Sequence, residues 1–127
     1  MQQRSVVIVA AKRTPMGRFM GAFADVPAVD LGIAAARAAL DAAGLDPGEV
    51  QETVAGHGRQ AGNGPNLARQ VGRRAGLADT VPAFTINKAC ASGLQAIVSG
   101  ASRMIRNQPS APLETFPSST TCIAPAS

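Results

Sequence analysis

The chain has 127 residues and is 46% hydrophobic with four Phe and no Trp or Tyr, so a single domain, or part of a larger one, must fill its interior with Ala, Val, Leu and Ile. Small side chains of this kind suit helices packed closely on a sheet. The net charge of +4 is scattered, with Lys12–Arg13 and Arg73–Arg74 the only adjacent basic pairs, and neither a basic stripe nor interleaved aromatics are present, which excludes nucleic acid as the expected partner.

The first residues, "MQQRSVVIVAAKRTP", hold an apolar run of only six, Val6 to Ala11. A secretory signal needs a longer run and a membrane-spanning helix about 20 apolar residues. The expectation is a cytoplasmic protein without a membrane partner, or an organellar one whose presequence is missing, with Cys90 and Cys122 as reduced thiols.

Val6 to Ala10 reads as a buried strand closed by Pro15 and Gly17. "AVDLGIAAARAALDAAGL" places Leu31, Ala34, Ala35, Ala38 and Leu40 at helical spacing, with Gly44 as a left-handed C-cap. In "DPGEV", Asp46 is an N-cap candidate, Pro47 takes the first helical position and Glu49 completes a capping box. Thr53 to Ala55 is a short strand candidate, "HGRQAGNGP" a glycine-rich loop, and "NLARQVGRRAG" a helix ending at Gly76. "VPAFTIN" is the next strand and Ala91 to Arg106 the longest helix. Strands alternating with helices imply an α/β fold with a mostly parallel sheet.

After Arg106 the pattern changes. "NQPSAPLETFPSSTTCIAPAS" holds four of the nine prolines, seven Ser or Thr and no Lys or Arg, and the apolar strand that should return to a parallel sheet does not come. The expected division is 1–106, a partial domain, and 107–127, an irregular or disordered tail. A natural flexible tail and a continuation lost by truncation or an altered reading frame both give such a composition.

Three motifs bear on function. "GHGRQA", Gly56 to Ala61, fits the dinucleotide pattern G-x-G-x-x-[GA], but that pattern needs a helix opening inside it so that backbone amides meet the pyrophosphate. Here Gly62, Gly64 and Pro65 delay the helix to about Asn66, which argues against nucleotide binding. His57, the single histidine, has no partners at ligand spacing, so no metal site is expected, and its reading is a structural or solvated loop residue. Cys90 differs. It stands where the strand "VPAFTIN" gives way to a helix, a position at which helix amides stabilise a thiolate, with Lys88 close in sequence and small Ser92 and Gly93 leaving room for a substrate. The same features also suit an inert cysteine packed as a small apolar residue.

Taken in order, "VVIVAAKRTPMGRFMGAF", "VDLGIAAARAALDAAGLDPGEV", "GHGRQAGNGPNLARQ" and "VPAFTINKACASGLQAI" resemble successive N-terminal segments of the thiolases, the acyl-CoA C-acyltransferases, over about Ser5 to Arg106. The nucleophile motif of that family, N-x-x-C-x-S-G, matches Asn87 to Gly93. The resemblance implies part of the N-terminal half of a layered αβαβα fold, homodimers or homotetramers joined near "VPAFTIN", and coenzyme A and acyl-CoA as substrates with no permanently bound cofactor. It implies Cys90 as the acyl-accepting nucleophile, its backbone N–H in an oxyanion hole, and a place in lipid and fatty acid metabolism.

It also implies that this chain is incomplete as an enzyme. The family's acid/base cysteine and histidine belong to a C-terminal half, Cys122 lies in no comparable context, and His57 is not in a Gly-His-Pro setting. Two other readings compete. A ketoacyl synthase shares the fold and has a similar cysteine, though "RTPMGRFMGAF" and "GPNLARQ" favour thiolase. A non-catalytic module that dimerises with intact subunits would keep the fold without the reaction.

Overall fold

The structure, a computed structural model, describes residues 5–106 and, beyond them, Thr120 and Thr121. Three parallel strands lie in the order β2-β1-β3, where β1 is Val50–Gly56, β2 Ala83–Ile86 and β3 Thr120–Thr121. Helix α1 (Ala28–Ala43) packs on α2 (Leu67–Ala75), and α2 on both β1 and β2. Helix α3 (Ser92–Arg106) packs on the same two strands. Alternation along β1 separates the two contacts. A Cβ on Gly72 of α2 would meet Thr53, whereas Glu52 pairs with Arg103 of α3, so the α2 layer and α3 cover opposite faces. Coverage of both faces leaves β1 buried almost throughout, exposing only Gln51.

The local signals mark the helix ends. Gly44 and Gly76 cap α1 and α2 at φ 65° and 111°, and Asp46 and Glu49 form the reciprocal capping box around a single 3₁₀ turn at Pro47–Glu49. The main core lies between α1, α2 and the sheet: Val29, Ile33, Ala36 and Leu40 from α1, Val50 and Ala55 from β1, and Leu67, Ala68, Val71 and Ala75 from α2. Ala36 and Ala68 are fully buried, and a larger residue at either would force the helices apart.

Three expectations need correction. Val6 to Ala10 is not a strand. Val7, Ile8 and Val9 are 68%, 76% and 60% exposed, and no backbone hydrogen bond joins them to another described residue. Strand β1 already has β2 on one edge and β3 on the other, and the apolar run pairs with none of the three strands, so hydrophobicity without a paired neighbour does not make a strand. The strand expected at Thr53 to Ala55 extends over Val50–Gly56, because Val50 and Glu52 pair with Thr120 and Thr121 on β3. Those threonines are also a return to the sheet from the stretch expected to be irregular, made by polar β-branched residues and so without the apolar signal sought. Cys122 lies outside the described residues.

Among the described residues no helix is long and apolar enough to cross a membrane, and no group of three or more His, Cys, Asp or Glu side chains is arranged to hold a metal ion.

Candidate active site

Strand β2 ends at Ile86 and α3 begins at Ser92, leaving five residues, Asn87 to Ala91, to reverse direction. The turn is tight because Ala89 adopts φ 46°, a left-handed conformation that costs a non-glycine residue about 1–2 kcal/mol. Four side-chain and two backbone hydrogen bonds offset that cost. The Asn87 amide accepts from the Ala89 N–H at 3.0 Å and donates to the Gly58 carbonyl at 3.3 Å. The Ser92 hydroxyl accepts from the Lys88 N–H at 2.9 Å and donates to the Ala89 carbonyl at 2.6 Å. Ala91 N–H and Ser92 N–H donate to Lys88 O and Ala89 O at 3.0 and 3.1 Å. Each such bond contributes about 0.5–1.5 kcal/mol net, enough together to hold Ala89 where it is.

Cys90 follows the strained residue. Its side chain is exposed at the mouth of α3, and its N–H has no hydrogen-bond partner among the described residues. A thiol there is open to an incoming carbonyl carbon and has a free amide donor on the same residue. Lys88, read as a nearby positive charge, gives its ammonium to Gln95 Oε1 at 3.0 Å. Ser92, read as small to leave room, is buried and serves the turn instead.

The turn is seated on β1 by two glycines. A Cβ on Gly56 would overlap the Ser92 carbonyl group, and one on Gly58 would come within 3.0 Å of the Ala89 oxygen. In the sequence these glycines stood out only as the first two of the dinucleotide pattern; what they accommodate depends on a chain segment more than thirty residues away. His57, between them, turns the other way. It is 4% exposed, correcting the solvated reading, and lines an open cleft of about 330 Å³ with Gln60, Gly64, Asn66, Leu67, Phe84 and Thr85. Its Nε2 has no hydrogen-bond partner among the described residues, while its backbone N–H donates to Ile86 O at 2.9 Å. Cys90 and His57 are therefore not brought together as a nucleophile and base. The helix after "GHGRQA" opens only at Leu67, capped by Asn66, as the argument against a dinucleotide site requires.

Residues 6–111 match the family described as the thiolase N-terminal domain. The chain belongs to the thiolase family. It is 51% identical over 92 residues to a probable acetyl-CoA acyltransferase of Staphylococcus aureus, an alignment covering 72% of this chain and 23% of that protein. Among solved structures, an acetyl-CoA acetyltransferase from Syntrophomonas wolfei is 38% identical with a TM-score of 0.75, covering 79% of this chain and 25% of that one. A thiolase from Ascaris suum, solved in complex with coenzyme A, is 34% identical with a TM-score of 0.77, covering 79% and 26%. The chain thus spans about a quarter of the length of the thiolases it matches. The thiolase match also decides the family against the ketoacyl-synthase alternative.

Proposed function

We propose that this chain is the nucleophile-bearing segment of a thiolase, an acyl-CoA C-acyltransferase, and that Cys90 is the residue that takes the acyl group. The observation that carries the reading is the placement of Cys90: exposed, one residue beyond a left-handed Ala89, at the start of α3, with an N–H that has no partner among the described residues.

The reaction then runs in two halves. The Cys90 thiolate attacks the 3-keto carbonyl of a 3-ketoacyl-CoA, forming a carbon–sulfur bond, and the Cys90 N–H donates to the oxyanion that develops. Collapse breaks the bond between the second and third carbons. The electron pair leaves as the enolate of acetyl-CoA, which takes a proton from a general acid, and the rest of the substrate stays on sulfur as a thioester. The thiolate of free coenzyme A attacks that thioester, and the Cys90 thiolate is released. In the reverse direction, one acyl-CoA acylates Cys90 and the enolate of a second condenses with it. Coenzyme A enters as a substrate, consistent with the complex of the Ascaris relative.

The general acid and most of the surface that would hold coenzyme A are assigned to the remainder of a full-length thiolase, so the chain by itself is read as inactive in carbon–carbon cleavage. A soluble assembly in cytoplasm or organelle, with dimers formed across β2, completes the reading. The half-reaction that needs only a nucleophile and an open carbonyl supplies the test. Incubation of the chain with excess acetyl-CoA, followed by peptide mass spectrometry, should place a hydroxylamine-labile acetyl group on Cys90. No acetyl on Cys90, or equal acetylation in an unfolded sample, refutes the assignment.

A further inference from the structure

We infer that Ser92 is a positioning residue whose hydroxyl holds the Cys90 turn in its reactive form. The inference rests on the reading of Cys90 as the nucleophile and adds the device that keeps it presented.

Three observations converge on the Ser92 Oγ. It is the single side-chain atom that reaches both sides of the left-handed residue, accepting from Lys88 N–H before it and donating to Ala89 O after it. The residue is 4% exposed, so water does not compete for either bond. Its own carbonyl lies where Gly56 lacks a side chain, so the bracket is fastened to the most buried strand of the sheet rather than to a loop. Neither partner of the hydroxyl is a side chain. The bracket therefore acts on the backbone alone, and its consequence is the φ of Ala89 and the direction in which the next residue, Cys90, leaves the turn.

Without the hydroxyl, Lys88 N–H and Ala89 O lose their shared partner and the turn around left-handed Ala89 loses two of its six hydrogen bonds. Relaxation of Ala89 to negative φ swings both the Cys90 N–H and the Cys90 sulfur away from the first turn of α3. Ser92 touches neither substrate nor sulfur in this account. Its effect runs through residue 89, so a residue that accepts φ > 0 without strain should make the hydroxyl less necessary. Glycine is that residue.

The experiment measures the rate of Cys90 alkylation by iodoacetamide at pH 6 in the complete 127-residue chain, by peptide mapping, with the same chain in urea as the unstructured reference. Wild type should label faster than the urea reference, because the folded turn presents the exposed sulfur beside the N–H groups at the start of α3. Ser92→Ala should lower the native rate about tenfold, the size expected when the sulfur swings away from the first turn of α3. Ser92→Thr, which keeps the hydroxyl, should stay near wild type, and adding Ala89→Gly to Ser92→Ala should recover most of the loss. That recovery also answers the case in which Ser92→Ala fails to fold, because a glycine that restores the turn restores both signals. Fast labelling in wild type and Ser92→Ala alike overturns the role of Ser92 and leaves Cys90 as nucleophile. A double variant as slow as Ser92→Ala shows that the hydroxyl does not act through Ala89. Wild-type labelling no faster than in urea overturns both readings.

Discussion

Gly56 of β1 and Ser92 of α3 are in backbone contact so close that a methyl group on the glycine would overlap the serine carbonyl. This pair joins the most buried strand to the Cys90 turn, and it gives Gly56 a role distinct from that of the capping glycines. Gly56→Ala should destabilise the chain by roughly 2–3 kcal/mol, toward the upper end for overpacking, because the obstacle is backbone and cannot rotate aside. Gly44→Ala, at φ 65° with open space around it, should cost only about 1 kcal/mol through left-handed strain. Urea midpoints of the two variants check the order. Cys90 alkylation should slow with Gly56→Ala and not with Gly44→Ala.

A second prediction concerns Glu52, whose side chain is 11% exposed and accepts from Arg103 Nε at 2.7 Å; Arg103 in turn lies over the Phe84 ring, 5.5 Å from its centroid. Removing the arginine leaves an almost buried carboxylate without its cation, so Arg103→Met should cost about 2–3 kcal/mol, below the full figure for buried pairs because Arg103 itself is 42% exposed. Glu52→Gln should cost less, since it leaves no buried charge unpaired. Arg103→Lys should fall between them, keeping the charge but losing the planar guanidinium over Phe84. Equal urea midpoints for Arg103→Met and Glu52→Gln would contradict this ordering.

The elements read correctly from sequence are those whose signals are local: the helical spacing of α1 and α2, the αL glycines at 44 and 76, and the Asp46–Glu49 capping box. Val6 to Ala10 misled because a strand is defined by its neighbours, and six apolar residues carry no information on whether an edge is available. The thiol at the strand-to-helix junction was legible for the same reason the caps were: "FTINKACASG" contains both the strand end and the helix start. Its support was not. Gly56 and Gly58 read as glycines of a dinucleotide-type pattern, and the two hydrogen bonds of Ser92 go with a left-handed Ala89, a conformation that nothing in the alanine's chemistry announces.

Association is the third prediction. Among the described residues β2 pairs with β1 on one side only, and α3 turns Leu94, Ile97, Val98 and Ile105 outward at 50–68% exposure while burying Ala96 and Gly100. An apolar helix face and an open strand edge next to each other are a pairing surface. At tens of micromolar, where such surfaces commonly associate, the chain should sediment well above its 12.9 kDa mass. Ile97→Lys with Leu94→Lys should shift it toward monomer. A clean wild-type monomer at that concentration would rule out the surface as an interface.

The last prediction separates acyl transfer from carbon–carbon cleavage. On the proposed reading Cys90 accepts an acyl group with its sulfur and its own N–H, but cleavage of a 3-ketoacyl-CoA also releases an enolate that must be stabilised and protonated at hydrogen-bond distance. General acid catalysis is typically worth about 10²–10⁴-fold and an oxyanion donor about 10²–10³-fold, so if both belong to the rest of a thiolase, as proposed, the rate should fall below detection. His57 does not fill the gap, because it lines the cleft beside α2 while the Cys90 turn rests against the opposite face of β1. On the same reading, a substrate without the coenzyme A surface assigned to the rest of a thiolase also loses the benefit of being positioned at the sulfur. Thiolysis of a 3-ketoacyl-CoA by the purified chain should therefore equal that of its Cys90→Ser variant, even though only the wild type becomes acetylated. Turnover that depends on Cys90 would mean that an acid/base group is supplied within these 127 residues, and His57→Ala and Cys122→Ser would then identify which.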